Sequence, residues 1–357
     1  MQIGWIKAVD FRSYRTLSVT PAPRLNVLHG PNGQGKTNLL EALGLLVTGR
    51  SFRTPRTADI PYWGAQSAAL TGDLVRADAA SQARRTLRRT IERLDDGHWQ
   101  SSGESVEWAR AIAFGWQDLD IVNGAPVARR RFIDGFAGRL FPVHVAALIQ
   151  FRQLLARRNR LLQQRSGDPA ALAQLAPWNE QFALVGMDLV NRRRRAVAAL
   201  QTELARVYAT LCATRSKVEI RYRTALGEAS DAAALLAALD RAQREEARRG
   251  QTLVGPHRDD LTIEIDGVDA RAFGSRGQQR LVALALRLAE VLPVTEAAGT
   301  APVLLLDDAL SELDPAVREQ VVRELGAAQQ VFLTTPEPPA VKGAAVFYVN
   351  AGGVAAA

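Results

Sequence analysis

The stretch Gly30-Pro31-Asn32-Gly33-Gln34-Gly35-Lys36-Thr37 reads G-x-x-x-x-G-K-T, the pattern of a phosphate-binding loop. Glycines let backbone N–H groups turn inward around a β/γ-phosphate pair. Lys36 adds a point charge, and the Thr37 hydroxyl is a Mg²⁺ ligand candidate. The flanks agree with this reading. Leu25-Asn26-Val27-Leu28 reads as a short buried strand, and Asn38-Leu39-Leu40-Glu41-Ala42-Leu43 as a helix whose N-terminus adds its own attraction for an anion. A chance match in a glycine-rich loop is the bland alternative; the strand–loop–helix order weighs against it.

A phosphate loop needs a metal holder, and Val303-Leu304-Leu305-Leu306-Asp307-Asp308 supplies one. Four apolar residues read as a buried parallel strand with carboxylates at its tip. Asp307 is expected to reach the Mg²⁺ shell. Asp308 is expected on the γ-phosphate side, where a carboxylate orients or deprotonates the attacking water. Phe273-Gly274-Ser275-Arg276-Gly277-Gln278 precedes a helix from about 277 to 291 and makes a second anion cradle. Ser311-Glu312-Leu313-Asp314-Pro315 reads as a turn and helix start. Each serine alone would more usually be a helix N-cap; the order of the pieces carries the reading.

The chain has 357 residues, 47% hydrophobic and 23% charged, with one cysteine, Cys212. That suits two globular domains, or one with a large insertion, and excludes an internal disulfide or a cysteine metal site. The formal net charge of +8 favours a polyanionic partner, nucleic acid first and an anionic membrane surface second. Only Lys7, Lys36, Lys217 and Lys342 are lysines; the other basic residues are arginines. Arg50, Arg53, Arg129, Arg130 and Arg131 are the DNA-contact candidates, beside clusters at 84–89, 157–160 and 192–195. A helical quartet such as 192–195 cannot turn all its members to one duplex. Phosphate contacts with steep salt dependence are expected. No leader peptide and no apolar run of spanning length is evident, so a cytoplasmic protein without a membrane partner is expected.

Along the chain, residues 2–10 and 16–20 read as strands. Tyr14 lies between them, either stacking on a base or packing on the sheet. Alternating runs between about 68 and 112 suggest antiparallel strands with a turn at Asp95-Asp96-Gly97. Ala111-Ile112-Ala113-Phe114 is one more strand, ending at Gly115-Trp116-Gln117. From about 128 the pattern turns helical, with Val197, Leu200, Leu204, Val207 and Leu211 forming a bundle seam. Gly167-Asp168-Pro169 breaks the helical runs. Strands follow at 217–222, 261–265, 330–334 and 345–350, a charged helix at 231–249, and an alanine-rich tail expected to be disordered. Lobe I is drawn as 1–118 plus 251–357, with the region of about 270–292 at the lobe boundary; lobe II is 119–250.

On the loop at 30–37, Ser275-Arg276-Gly277-Gln278, the acidic strand at 303–307 and the turn at 311–314, the chain resembles the ABC-type ATPases. The resemblance implies an α/β P-loop head, lobe I with mixed sheets and helices, plus a mainly α-helical lobe II without a long coiled coil. It further implies that Gly30, Pro31, Asn32, Gly33, Gln34, Gly35, Lys36, Thr37 and Asn38 bind ATP, and that Thr37 and Asp307 hold Mg²⁺. Two heads would pair head to tail, so that Ser275, Gly277 and Gln278 cap the partner's nucleotide and Ser311 and Asp314 form the D-loop. Gln117 falls where the family senses Mg²⁺ and γ-phosphate. Thr334 or Thr335 stands where transporters carry a switch histidine.

Within the superfamily, Asn38-Leu39-Leu40-Glu41-Ala42, Gly49-Arg50-Ser51-Phe52-Arg53-Thr54, Arg130-Arg131-Phe132-Ile133-Asp134, Gly255-Pro256-His257-Arg258-Asp259-Asp260-Leu261 and the Asp307-Asp308 pair resemble the RecF family of DNA replication and repair proteins. Most other ABC-type members have Glu where Asp308 stands. Trp116-Gln117 departs from the Pro-Glu expected before Asp118-Leu119, which shifts the Gln117 assignment by a residue or so. The resemblance implies an ATP-dependent homodimer that clamps duplex or junction DNA, slow DNA-stimulated hydrolysis, and RecR and RecO-type partners. A transporter ATPase is the runner-up; the long span from Thr37 to Ser275 and the net charge oppose it. An SMC-like structural protein needs heptads over many more turns, and a nucleotide-switched binding module with little turnover is a third reading.

Overall fold

A computed structural model describes residues 1–78, 81–164, 174–212, 216–337 and 343–356. The Gly167-Asp168-Pro169 break lies outside the described residues. The chain divides into two compact units. The first is Met1–Asp118, Thr210–Ala213 and Ala283–Ala357; the second is Leu119–Ala209 and Thr214–Val282. No helix among the described residues is long and apolar enough to cross a membrane.

The first unit opens with β1 (Gln2–Phe11), β2 (Tyr14–Val19) and β3 (Leu25–His29), then α1 (Lys36–Thr48). Next come β4 (Ser67–Asp78), β5 (Ser81–Arg93), β6 (Trp99–Gly103) and β7 (Ala111–Phe114). β2, β1, β4, β5 and β6 make an antiparallel five-stranded sheet in that order. α1 is apolar almost all round and is buried from Leu39 to Val47, as a helix covered on both sides must be. It packs on this sheet at Gly72. A Cβ there would come within 2.5 Å of the Trp5 carbonyl and 2.6 Å of Leu46 Cδ2, so only glycine admits the contact. Tyr14 is fully buried. It packs under the phosphate loop and is not a base-stacking surface, because the tight β1–β2 turn points its ring inward.

The second unit carries α2 (Leu119–Asn123), α3 (Pro126–Leu140), α4 (His144–Gln164), α5 (Ala176–Leu211), β8 (Val218–Arg223), α6 (Ala232–Arg249), β9 (Asp260–Ile265), β10 (Val268–Asp269), α7 (Ala270–Phe273) and the start of α8 (Arg276–Ala289). The α5 seam residues Val197, Leu200, Leu204 and Val207 are all buried. Phe151 and Leu154 of α4 share a core with Phe182 and Leu189 of α5 and Leu235 and Leu239 of α6. β10, β9 and β8 form a small antiparallel sheet. Residues 251–282 therefore group with the helical middle of the chain, not with the chain ends as drawn from the sequence. The physical cause is β9, whose ladder partner is β8 from Val218↔Ile265 to Arg223↔Asp260.

The chain returns to the first unit with α9 (Val291–Ala298), β11 (Val303–Leu306), α10 (Pro315–Glu324), β12 (Gln330–Thr335), β13 (Ala345–Asn350) and β14 (Gly353–Ala356). A six-stranded sheet has the order β14-β13-β3-β12-β11-β7, parallel except for β14. β11 is buried along its whole length, as the continuous apolar run of a central parallel strand requires. The alanine-rich tail is ordered through Ala356, because Gly353–Ala356 pairs antiparallel with β13. The C-terminal ends of β3, β12 and β11 stand side by side in this sheet, the edge where parallel α/β sheets place their sites.

Candidate nucleotide-binding site

The loop between β3 and α1 has left-handed backbone at Gly30, Gly33 and Gly35. At Gly35 (φ +110°), a Cβ would lie 2.9 Å from both Ser13 Oγ and Tyr14 Oη. The Tyr14 hydroxyl donates to the Gly35 carbonyl at 2.9 Å, fixing the loop where α1 begins. Lys36 Nζ donates to the carbonyls of Gly30 (2.5 Å) and Pro31 (2.9 Å). Burial pushes its pKa below the ordinary lysine value, while the charges of Asp308 and Asp307 oppose that shift. Gln34 Oε1 accepts from the Ala351 N–H at 2.8 Å, tying the loop to the β13–β14 turn.

Thr37 Oγ1 lies 2.9 Å from each carboxylate oxygen of Asp307. The pair joins the start of α1 to the tip of β11 across 270 residues of sequence. Asp307 is itself held by its backbone N–H, which donates to the Phe114 carbonyl of β7 at 2.8 Å. A hydroxyl and a carboxylate converging in this way are hard oxygen donors. They fit Mg²⁺, which takes one or two protein ligands and completes its shell with phosphate oxygens and water. Open loop amides beside an ammonium group likewise fit the β/γ-phosphates of a nucleotide.

A cleft beside this pair is lined by Thr37, Asp307, Gln117, Trp116, Phe52 and Arg53 among others. Gln117 Nε2 donates to the Arg53 carbonyl at 3.4 Å. Asp118 fixes the same loop. It accepts from the Gly115 N–H at 2.8 Å and from Arg287 Nη2 at 2.6 Å. Trp116 is 73% exposed. Asp308 adopts φ +51°, and Ser311 Oγ donates to its carboxylate at 2.8 Å. Asp314 is the N-cap residue of α10 but makes no side-chain cap bond.

A network absent from the sequence reading surrounds the start of α1. The fully buried Glu41 receives Arg12 through two bonds of 2.8 and 2.6 Å, Ser51 Oγ at 2.5 Å and Arg53 at 3.1 Å. Asn38 bridges Ser13 (2.9 Å) and Arg53 (2.7 Å). Its only sequence trace is the acidic residue inside the otherwise apolar run of α1.

In the second unit, Ser275 and Gln278 form a reciprocal capping box. Ser275 N donates to Gln278 Oε1 at 2.8 Å, and Gln278 N donates to Ser275 Oγ at 3.2 Å. Gly277 is exposed beside them. The DNA-contact candidates separate. Arg129 is buried and makes paired bonds to Asp260 of 2.7 and 2.9 Å. Arg130 donates to the Asp259 carbonyl at 2.9 Å. Arg129 is corrected from a DNA contact to a structural tie, since its fork is already spent on Asp260; Arg130 is half-buried and gives one Nη1 bond to the Asp259 carbonyl. Arg53 is bound to Asn38 and Glu41 beside the cleft. Arg50 and Arg131 remain exposed.

The model of the RecF/RecN/SMC N-terminal domain family matches residues 2–351. The DNA replication and repair protein RecF of Heliobacterium modesticaldum is 33% identical over 370 residues, covering 99% of this chain and 98% of that protein. The chain belongs to the RecF family. RecF of Gloeobacter violaceus is 36% identical over 338 residues, covering 91% and 89%. A solved structure described as the recombination mediator protein RecF-ATP in the RecFOR pathway has a TM-score of 0.87, 26% identity, and covers 99% of this chain and 97% of that one. An Smc head bound to the C-winged helix domain of ScpA, at TM-score 0.56 and 14% identity, shares the fold.

The RecF-like run Gly255–Asp260 has a structural role in the second unit. The Pro256 carbonyl accepts from Arg193 at 2.6 Å, Asp259 accepts from the Tyr222 hydroxyl at 2.5 Å, and Asp260 receives Arg129. Arg193 also forks onto Asp134 at 2.8 and 2.9 Å. The RecF-like Arg130–Asp134 segment is thereby joined to the same knot.

Proposed function

We propose that this RecF-family chain is an ATP-dependent DNA-binding protein of recombinational repair and replication. It dimerises on ATP, clamps DNA and hydrolyses ATP slowly, with DNA as stimulus. The observation that carries this reading is the Thr37–Asp307 pair, which brings the phosphate loop and the acidic strand tip into one cation-ready site.

Lys36 and the loop amides bind the β- and γ-phosphates. Thr37 and Asp307 hold Mg²⁺, with Gln117 close enough in the same cleft to respond to it. Bound Mg²⁺ would supply positive charge that neutralises the charge developing during transfer. Asp308, held by Ser311, orients the attacking water and accepts its proton. Ser275, Gly277 and Gln278 cap the nucleotide of a second copy, next to that copy's Ser311 and Asp314. The N–H groups at the start of α8 are the physical basis for that contact. Exposed Arg50 and Arg131, with the net charge of +8, support contact with DNA phosphates. The RecFOR description of a solved relative supports RecO- and RecR-type partners at gapped DNA.

The test is light scattering with and without ATP–Mg²⁺, followed by duplex binding over a salt series. A shift from monomer to dimer on ATP is expected, with DNA affinity that rises on dimerisation and falls steeply with salt. A monomer indifferent to ATP and DNA would overturn the reading.

A further inference from the structure

β12 lies between β3, which leads into the phosphate loop, and β11, which ends at Asp307. Its residue Thr334 therefore stands between the two halves of the site. The side chain is buried, at 2% exposure. Thr334 Oγ1 accepts from the backbone N–H of Asp308 at 2.9 Å and donates to Asp307 Oδ1 at 2.8 Å. The direction is fixed by chemistry. A peptide N–H can only donate, so the single hydroxyl proton goes to the carboxylate.

Two hydroxyls thus converge on Asp307, Thr334 from β12 and Thr37 from α1, and together they leave its carboxylate little freedom to rotate. The bond to the Asp308 N–H acts on the next residue. Asp308 sits at φ +51°, a left-handed conformation uncommon outside glycine, and the bond to its N–H helps hold it there. One buried hydroxyl therefore sets the side chain of one acidic residue and the main chain of the next.

We propose that Thr334 is a positioning residue that aligns Asp307 for the metal and Asp308 for the attacking water, doing so with a hydroxyl that never reaches the nucleotide. This rests on the nucleotide-site reading above. It separates Thr334 from Thr335, whose hydroxyl donates to the Glu337 carbonyl at 2.9 Å and makes no bond to either aspartate.

The experiment compares the full chain with Thr334→Val, which keeps the shape and removes the hydroxyl, and with Thr334→Ser, which keeps the hydroxyl. Affinity for a fluorescent ATP analogue is measured in EDTA and across a Mg²⁺ titration, and turnover is measured separately. Thr334→Val is expected to need about 10-fold more Mg²⁺ for tight nucleotide binding and to lose about 10- to 100-fold in turnover, the usual cost of removing a group that orients a metal ligand. Its affinity in EDTA is expected to stay within about 2-fold, because no contact with the nucleotide itself is lost. Thr334→Ser is expected to restore both. If valine lowers the melting temperature, Thr334→Ala provides the same comparison without a second methyl in the site. An unchanged Mg²⁺ titration in the hydroxyl-free variants, beside an active wild type, overturns the positioning role alone. A serine variant as impaired as valine does the same, since packing would then be the cause. A wild type that binds no ATP analogue overturns the nucleotide-site reading beneath it.

Discussion

Arg158 Nη2 donates to Glu246 Oε2 at 2.6 Å, and neither side chain has any exposed surface. Arg158 Nε and Nη1 donate to Asn179 Oδ1 at 2.8 Å and Thr252 Oγ1 at 2.9 Å. Glu246 Oε1 accepts from the Leu253 N–H at 2.7 Å. Such a pair stabilises only while complete, because each charge has given up its water.

Arg158→Met is accordingly expected to destabilise the second unit by about 3–5 kcal/mol, the cost of leaving a buried carboxylate without its partner. Denaturant unfolding followed by circular dichroism checks this. A loss below about 1 kcal/mol would place the pair among ties the unit can do without.

Lys36→Met is expected to abolish ATP binding and ATP-dependent dimerisation together. The ammonium group is the one side-chain cation of the phosphate loop, and methionine keeps its length without its charge. Equilibrium nucleotide binding and light scattering provide the measurements. A variant that still dimerises on ATP would remove Lys36 from the site.

Asp308→Asn is expected to keep ATP binding and to accumulate a dimer that does not reopen, with turnover reduced by about 10²- to 10⁴-fold, the range for a lost general base. Asparagine preserves the acceptor for Ser311 Oγ but cannot take a proton from water. Normal turnover would transfer the role to another group.

His257 gives a pH signature to the second unit. Burial among Phe151 and Phe182 pushes its pKa down to about 4, and the charges of Arg258, Arg130 and Arg158 add to the fall, while the bond to the Thr252 carbonyl opposes it. Its Nδ1 is buried without a hydrogen-bond partner among the described residues. A histidine that resists protonation when folded binds more protons when unfolded. Stability therefore falls as pH drops from about 6.5 towards about 4. Melting temperatures measured between pH 7 and pH 5 are expected to decline less in His257→Gln than in the wild type. Parallel curves would show that this ring does not set the slope.

The chain order of the phosphate loop, the acidic strand tip and the Ser275–Gln278 cradle was legible because each depends on local spacing. Glycines where the backbone must turn left-handed, a four-residue apolar run for a buried strand and a serine before a helix are all written in neighbouring residues. The same locality explains the errors. Arg129 stood among the DNA-contact candidates because Asp260, which engages it, lies 131 residues away. Residues 251–282 read as part of lobe I because their pairing with β8 is a ladder between segments that sequence order does not join. Tyr14 stayed open between stacking on a base and packing on the sheet, because a turn position alone does not say which way a ring points; its full burial decides for packing.

The sequence by itself determined that this protein carries a P-loop head of the RecF family, since motif type and order survive without coordinates. Only the tertiary structure decided which groups meet. It placed β12 between β3 and β11 and so put the Thr334 hydroxyl against both acidic residues. It buried Arg158 against Glu246, and it withdrew Arg129 from the surface. A hydrogen bond reaches about 3 Å, and which atoms come that close is settled by sheet order and burial, which a linear pattern does not contain.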